Sequence, residues 1–219
     1  MDSSKIRSRV WVEVNLDTLE ENFNKIRTAV DPAKVLAVLK ANAYGLGVEK
    51  IAERLNRAGA AGFCVAELKE ALPLIRFGKP VQILGGVLDY EIPEAVAHGI
   101  ILGITDMETA KKISAEAVRQ GKTAECHFKL DTGMGRLGIL AKDAVGLIPE
   151  VLKLPNLDCC GIYSHFPVAY RGEDNFSTHQ ADKFYRILEA MREKGIYFRK
   201  IHMANSDGIN NCPFSYHCP

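Results

Sequence analysis

Apolar and polar positions along the chain follow two alternating periods. Short apolar runs, such as Val35–Leu39 and Ile100–Ile104, are followed by longer segments in which apolar residues recur every three or four positions. The short runs are typical of buried strands, and the longer segments are typical of amphipathic helices. Strands and helices that alternate at this even pace predict βαβ units around a parallel sheet.

Seven strand–helix units, or parts of units, follow from the first of these runs. The predicted strands are residues 35–40, 63–66, 81–84, 100–104, 126–130, 159–163 and 200–203. The predicted helices are residues 48–59, 67–77, 91–98, 106–120, 143–152 and 179–194, with a kink or a start at Pro73. A closed barrel needs eight units, so we predict an α/β fold of the (β/α)8 TIM type in incomplete form. A doubly wound open sheet is the competing fold, but its G-x-G-x-x-G signature follows none of the strands.

The amino-terminal residues predict a separate small unit. Val10–Val14 alternates polar and apolar residues and favours a strand. Asp17 and Glu20 have the spacing of a capping box, which predicts a helix that continues to Val30. We therefore expect a strand and a helix in residues 1–30 and the partial barrel in residues 31–219.

Composition narrows the class of protein. The 28 basic and 27 acidic residues give a net charge of +1, which does not favour a nucleic-acid or membrane partner. The first residues lack the apolar core of a signal peptide, and we expect a cytoplasmic protein. The six cysteines form no C-x-x-C pair and no cluster with the histidines in sequence, so we expect small buried side chains and no metal site. They are Cys64, Cys126, Cys159, Cys160, Cys212 and Cys218.

Lys40 is the first candidate for chemistry. It ends the first apolar run, and Asn42 and Gly45 then turn the chain. In parallel barrels, catalytic residues gather at this carboxyl edge of the strands. A lysine with apolar neighbours loses its proton more readily than a free one, as a Schiff-base nucleophile requires. The alternative is a lysine that simply extends from the strand into water.

Three later strand ends also carry polar side chains. A glycine-rich loop after the fifth strand contains Arg136, whose paired donors suit a carboxylate or a phenolate oxygen. His165 follows the sixth strand, and Asn205 and Ser206 follow the seventh, where barrels often bind phosphate. Each could instead be an ordinary turn, cap or packed residue.

Taken together, these stretches resemble the alanine racemase family. The matching segments occur in family order: K-A-N-A-Y-G-L-G from Lys40, D-T-G-M-G-R from Asp131, the histidine at His165, and H-M-A-N-S from His202. One position departs from the pattern, because the family usually has histidine where this chain has Leu46. We assign Leu46 no role.

The resemblance implies a pyridoxal 5′-phosphate enzyme and assigns roles to the matching residues. Lys40 would carry the cofactor as an aldimine and act as one base. Arg136 would contact the cofactor ring oxygen and the substrate, Met134 would lie on the substrate side, and His165 would lie against the ring. Tyr44, Asn205 and Ser206 would bind the cofactor phosphate. Lys129, which is carbamylated in some members of the family, would orient Arg136. His202 would support another arginine that lies later in the family's sequence.

The implied reaction is the interconversion of L-alanine and D-alanine by two bases on opposite faces of the substrate. In the family, an eighth strand and a β-rich domain follow the barrel, and the second base is a tyrosine that reaches the partner subunit of a homodimer. These parts would fall after Pro219, so we expect an amino-terminal fragment that is inactive or weakly active alone. The alternatives are a racemase for another amino acid such as serine or lysine, a carrier of pyridoxal phosphate without turnover, and a non-functional remnant that aggregates.

Overall fold

A computed structural model describes residues 9–170 and 175–216, and in them parallel strands alternate with helices. The strands are β1 Leu36–Val38, β2 Gly62–Val65, β3 Val81–Ile83, β4 Leu102–Ile104, β5 Ala124–Asp131, β6 Ile139–Leu140, β7 Leu157–Tyr163 and β8 Lys200–His202. The two-residue strand β6 is absent from the sequence prediction because so short a segment has no detectable period.

The strands form one parallel series in chain order. β1, β2 and β3 pair in one sheet, and β4, β5, β7 and β8 pair in a second, with β6 beside β5. A bridge between Gln82 and Ile101 joins the two sheets at β3 and β4. Sequential parallel order is the arrangement of a (β/α) barrel, with seven of its strands in the described residues.

Helices cover the outer face of this series. They are Leu16–Ala29, Val48–Arg57, Leu68–Ala71, Ile92–Ala97, Met107–Arg119, Ala141–Val151, Asn175–Glu193 and Ser206–Asn211, with 3-10 segments at Leu72–Phe77 and Pro213–Ser215. Pro73 divides the predicted helix 67–77, because proline cannot donate the backbone hydrogen bond that an α-helix needs. None of the helices in the described residues is long and apolar enough to cross a membrane.

The two faces of each strand have different chemistry, and β5 shows this most clearly. Cys126, Phe128 and Leu130 are fully buried in the core beneath the helices. His127 and Lys129 alternate with them and are also buried, and His127 contacts rings from β7 and β8 across the barrel interior. β5 therefore has apolar side chains on the face beneath the helices and polar side chains on its other face.

The amino-terminal prediction is only partly right. Residues Val10–Val14 form no strand, and Val10 and Trp11 are exposed. The helix begins two residues earlier than the predicted cap at Asp17 implies, at Leu16. Its cap is Asn15 rather than Asp17, and Asn15 Oδ1 accepts from the backbone N–H groups of Asp17 and Thr18 at 2.9 and 3.0 Å.

The residues of the expected capping box fasten this helix to the barrel. Arg54 donates to Asp17 at 2.7 Å and to Glu20 at 3.0 Å. The buried Phe23 of the same helix belongs to the main core. Helix Leu16–Ala29 is therefore packed against the barrel helices.

The expected burial of the cysteines is confirmed for five of them, Cys64, Cys126, Cys159, Cys160 and Cys212. Cys218 lies outside the described residues, as does most of the polar stretch around residues 171–174.

Candidate functional site at the carboxyl ends of the strands

Lys40 begins a left-handed turn. Strand β1 ends two residues earlier than predicted, at Val38, and the four residues Ala41–Tyr44 have φ angles of 52° to 57°. For L-residues this conformation costs about 1–2 kcal/mol per residue, and it is seldom sustained over several residues. Backbone strain of this kind collects at functional sites.

A carboxylate from a distant part of the chain holds this turn. Glu70 Oε1 accepts from the backbone N–H of Ala41 at 2.5 Å, and Oε2 accepts from Ala66 N–H at 2.8 Å. Asn42 Oδ1 accepts from Val48 N–H at 2.9 Å and joins the turn to the next helix. Sequence reasoning missed Glu70, because its position is indistinguishable from that of a charged residue on a helix surface.

The Lys40 side chain is half-buried, and Nζ lies 5.9 Å from the centre of the Tyr44 ring. Tyr44 itself is 62% exposed. The expectation of a lysine held among apolar neighbours at a strand end stays a prediction. The amine lies at the open end of the barrel, where a ligand can reach it.

The glycine-rich loop after β5 is organised by Asp131. Its carboxylate accepts from the backbone N–H groups of Gly133 at 2.9 Å and Gly135 at 3.0 Å. At Gly138, a Cβ atom would lie 2.9 Å from the Lys129 carbonyl oxygen, so only glycine fits this close approach. Within this loop Met134 is half-buried and Arg136 is exposed at the barrel mouth.

Lys129 is buried beneath that loop. It is 4% exposed, and its Nζ lies 4.9 Å from the centre of the Tyr163 ring. Burial first and then the charge of Arg136 lower the pKa of Lys129, against the opposing effect of Asp131, to about 8. A substantial fraction of this amine is therefore neutral near pH 8.

The pKa of His165 is affected by charged residues from the ends of other strands. His165 is half-buried, and its pKa is lowered to about 4, first by burial and then by the positive charges of Lys129, Arg136 and Lys40. The imidazole is therefore neutral at pH 7. The same four residues share one electrostatic environment, although they are up to 125 positions apart in the chain.

His202 lies deeper in the barrel. Its ring stacks on Tyr163 with 4.8 Å between centres and 13° between planes. Burial lowers the pKa of His202 to about 3, and its Nε2 has no hydrogen-bond partner among the residues described. Its role in supporting an arginine stays a prediction.

Asn205 and Ser206 begin the short helix after β8. Asn205 Oδ1 accepts from Gly208 N–H at 2.8 Å, and its Nδ2 donates to the Phe166 carbonyl oxygen at 3.0 Å. The side chain of Asn205 therefore caps this helix, while Ser206 is exposed. Phosphate binding by either residue stays a prediction.

A second polar cluster lies at the other end of β5. The expectation that histidines and cysteines do not cluster is wrong for one pair, because His127 Nε2 is 3.8 Å from Cys160 Sγ. Their separation of 33 positions in the chain hid this contact from sequence reasoning.

Known proteins match the chain over nearly its whole length. The family model for the N-terminal domain of alanine racemase matches residues 14–218. The chain belongs to the alanine racemase family. The alanine racemase of Desulforamulus reducens is 37% identical over 216 residues, which cover 96% of this chain and 58% of that protein. The chain thus spans about half the length of the curated relatives it matches.

Solved structures of the family agree with the fold. Alanine racemase of Clostridium difficile 630 in complex with cycloserine superimposes with a TM-score of 0.92 at 30% identity, covering 97% of this chain and 59% of that one. A histidine racemase from Leuconostoc mesenteroides superimposes with a TM-score of 0.80 at 26% identity, covering 89% and 52%. The predicted incomplete TIM-type barrel is confirmed by the family match and by these structures.

Proposed function

We propose that this chain is the cofactor-binding part of a pyridoxal phosphate-dependent alanine racemase. The observation that carries the proposal is the shared environment of Lys40, Lys129, Arg136 and His165 at the carboxyl ends of the strands. It combines a reachable primary amine, two further cations and a neutral imidazole. Parallel barrels place their reactive groups at this edge.

These residues suit pyridoxal phosphate, which has an aldehyde, a phenolate oxygen and an anionic phosphate. The three charges that lower the pKa of His165 are all positive, so the site favours an anion. Lys40 would hold the aldehyde carbon, Arg136 the ring oxygen and His165 the ring face. Tyr44, Asn205 and Ser206 are the proposed phosphate residues. When bound, the cofactor supplies an electron sink that makes the α-proton of an amino acid acidic.

The chain's own residues would position the substrate and move its proton. Lys40 Nζ is proposed to give and take the α-proton on one face. The Arg136 guanidinium presents parallel N–H donors to an oxygen anion, with Met134 beside it on the substrate side. Lys129, buried beneath the loop, is proposed to orient Arg136, whether as a free or as a carbamylated amine.

The second base is proposed to be a tyrosine outside this chain, contributed by a partner subunit. Racemisation, a homodimeric state and a cytoplasmic location are therefore proposals for the whole protein. The chain alone is expected to bind the cofactor and to racemise slowly or not at all.

A second substrate class has one observation in its favour. The structural likeness extends to a protein described as a histidine racemase. A racemase for another amino acid, such as serine, lysine or histidine, is the second candidate function.

Cofactor attachment is the first test. The chain is mixed with pyridoxal phosphate, its visible absorption is recorded, and borohydride reduction followed by peptide mass mapping locates the label. We expect one label, at Lys40. Lys40→Ala should abolish it, and Lys34→Ala, which removes an exposed lysine nearby, should not. Labelling spread over many lysines would contradict the proposed site.

Turnover is the second test. The whole protein is assayed for conversion of L-alanine, L-serine, L-lysine and L-histidine to the D-forms. Preference for alanine supports the proposal, and preference for another substrate supports the second candidate. Stoichiometric labelling of Lys40 without turnover of any amino acid would favour a cofactor carrier and refute the racemase.

A further inference from the structure

The cluster in the amino-terminal half of β5 shares no side chain with the proposed cofactor site, although the His127 ring lies 6.0 Å from the ring of His202. Glu125 and His127 come from β5, and Cys160 comes from β7. Glu125 precedes Lys129 by four residues on the same strand, which corresponds to about 13 Å. The proposed racemase chemistry uses none of these three side chains.

A β-bulge brings Cys160 into the cluster. Glu125 pairs with Asp158, but His127 pairs with Gly161, so β7 has an extra residue between these two pairs. In a regular strand Cys160 would point away from the face that its neighbour Gly161 shares with His127, and a bulge re-aims such a side chain. Gly161 also makes room for the histidine, because a Cβ atom there would lie 2.3 Å from the His127 ring.

The three donor atoms form a triangle of metal-site dimensions. Glu125 Oε1 is 3.3 Å from His127 Nε2 and 3.2 Å from Cys160 Sγ, and the sulfur is 3.8 Å from the nitrogen. A tetrahedral zinc ion with ordinary bond lengths separates an oxygen and a nitrogen ligand by about 3.4 Å, and sulfur from either by about 3.6 Å. The observed sides therefore agree with one face of a zinc tetrahedron to within about 0.4 Å.

We propose that Glu125, His127 and Cys160 form a Zn²⁺ site that ties β5 to β7 at the bulge, with water as the fourth ligand. A thiolate, an imidazole and a carboxylate together are a ligand set that zinc prefers. On binding, the Cys160 thiol gives its proton to solvent and the sulfur bonds to the metal. No oxidant or reductant is needed.

Lys200 occupies the approach to this site in the metal-free chain. Its ammonium group pairs with Glu125 Oε1, and the two side chains are 41% and 32% exposed, so both reach the rim of the barrel. Zinc must displace this cation from the carboxylate. His127 is 1% exposed and directs Nε2 at the cluster, while its Nδ1 has no hydrogen-bond partner within the described part of the chain. Nε2 is thus the ring nitrogen that faces the other two donor atoms, at 3.3 Å from Glu125 Oε1 and 3.8 Å from Cys160 Sγ.

Cobalt substitution tests the site directly, because Co²⁺ bonded to a thiolate has a charge-transfer band and a tetrahedral site has intense visible bands. Reduced, metal-free protein is titrated with Co²⁺ and then with Zn²⁺ against a chromophoric chelator. We expect one equivalent bound, with the thiolate band. Cys160→Ala should lose the band and weaken Zn²⁺ binding at least about 100-fold, whereas Cys159→Ala, the matched control on the next residue, should change it less than about threefold.

Lys200→Met provides a change in the opposite direction. Removal of the competing cation should tighten Zn²⁺ binding by about tenfold or more. If Cys160→Ala does not fold, as judged by circular dichroism, Glu125→Gln at the rim replaces it, with an expected loss of about tenfold or more. Absence of the thiolate band, its persistence in Cys160→Ala, or unchanged affinity in both Glu125→Gln and Lys200→Met would overturn the proposal and leave a hydrogen-bonded cluster only.

Discussion

Glu70 offers a sharp test of how the Lys40 turn is held. Its carboxylate accepts two backbone N–H groups, from Ala41 at 2.5 Å and from Ala66 at 2.8 Å. Hydrogen bonds to a charged group contribute about 1.5–3 kcal/mol each. Glu70→Gln keeps one acceptor oxygen but directs an amide NH₂ at the other N–H, so one bond is lost and two donors face each other. We expect the free energy of unfolding to fall by about 2–3 kcal/mol.

Urea and thermal denaturation measure this loss. For a chain of this size, 1 kcal/mol corresponds to about 2–4 °C, so the Tm should fall by about 4–12 °C. Glu67→Gln is the matched control, because Glu67 makes only an exposed ion pair with Lys69 at 2.7 Å, which contributes less than about 1 kcal/mol. Amide hydrogen exchange at Ala41 should accelerate in Glu70→Gln and not in the control. Equal shifts in the two variants, or an unchanged Ala41 exchange rate, would refute the reasoning.

Three further changes have outcomes that follow from the structure. Gly161→Ala should lower the free energy of unfolding by about 3 kcal/mol or more, because the new methyl overlaps the His127 ring. Gly146→Ala, the control, lies in open space on a helix and should raise the free energy of unfolding by about 0.5–1 kcal/mol. Similar urea midpoints for the two variants would contradict this prediction. Ala41→Gly should raise the free energy of unfolding by about 1 kcal/mol, because glycine adopts the φ of 52° at this exposed position without strain. A lower urea midpoint for this variant would count against a strained turn. The pKa values of His127 and His202 in the folded protein are about 4 and about 3, below the ordinary 6.5. The unfolded chain therefore binds more protons below pH 6.5. The contribution of these two histidines to stability should be flat above that pH and should fall on acidification by up to about 1.4 kcal/mol per pH unit for each histidine. Urea midpoints that do not change between pH 7.5 and pH 5 would exclude this sign.

Local patterns predicted much of the fold. The apolar runs predicted the seven main strands, and the helix predicted at residues 106–120 is present as Met107–Arg119, with Asp106 as its cap. Pro73 marked the point at which a helix changes form. These features depend on residues within about one helical turn of each other, so the local sequence contains the information for them. The motif order also sufficed to recognise the family, which the match over residues 14–218 confirms.

The failures occurred where a second part of the chain decides the structure. Val10–Val14 has the alternation of a strand, but these residues form no strand in the structure. Asn42 tolerates the left-handed conformation, but Ala41, Ala43 and Tyr44 do not favour it. The backbone of this turn is held by Glu70, 29 positions beyond Ala41.

The candidate site residues were likewise predictable from the sequence in part and dependent on the tertiary structure in part. Lys40, Arg136 and His165 were visible as candidates because strand ends carry functional residues in parallel barrels. Their common environment, the burial of Lys129 and the contact of His127 with Cys160 exist only after the strands have paired. Which residues the chain offers at its strand ends is a property of the sequence. Which of them share one electric field is decided by the parallel register of β1, β5 and β7, because charge interactions depend on distance in space and not on distance along the chain.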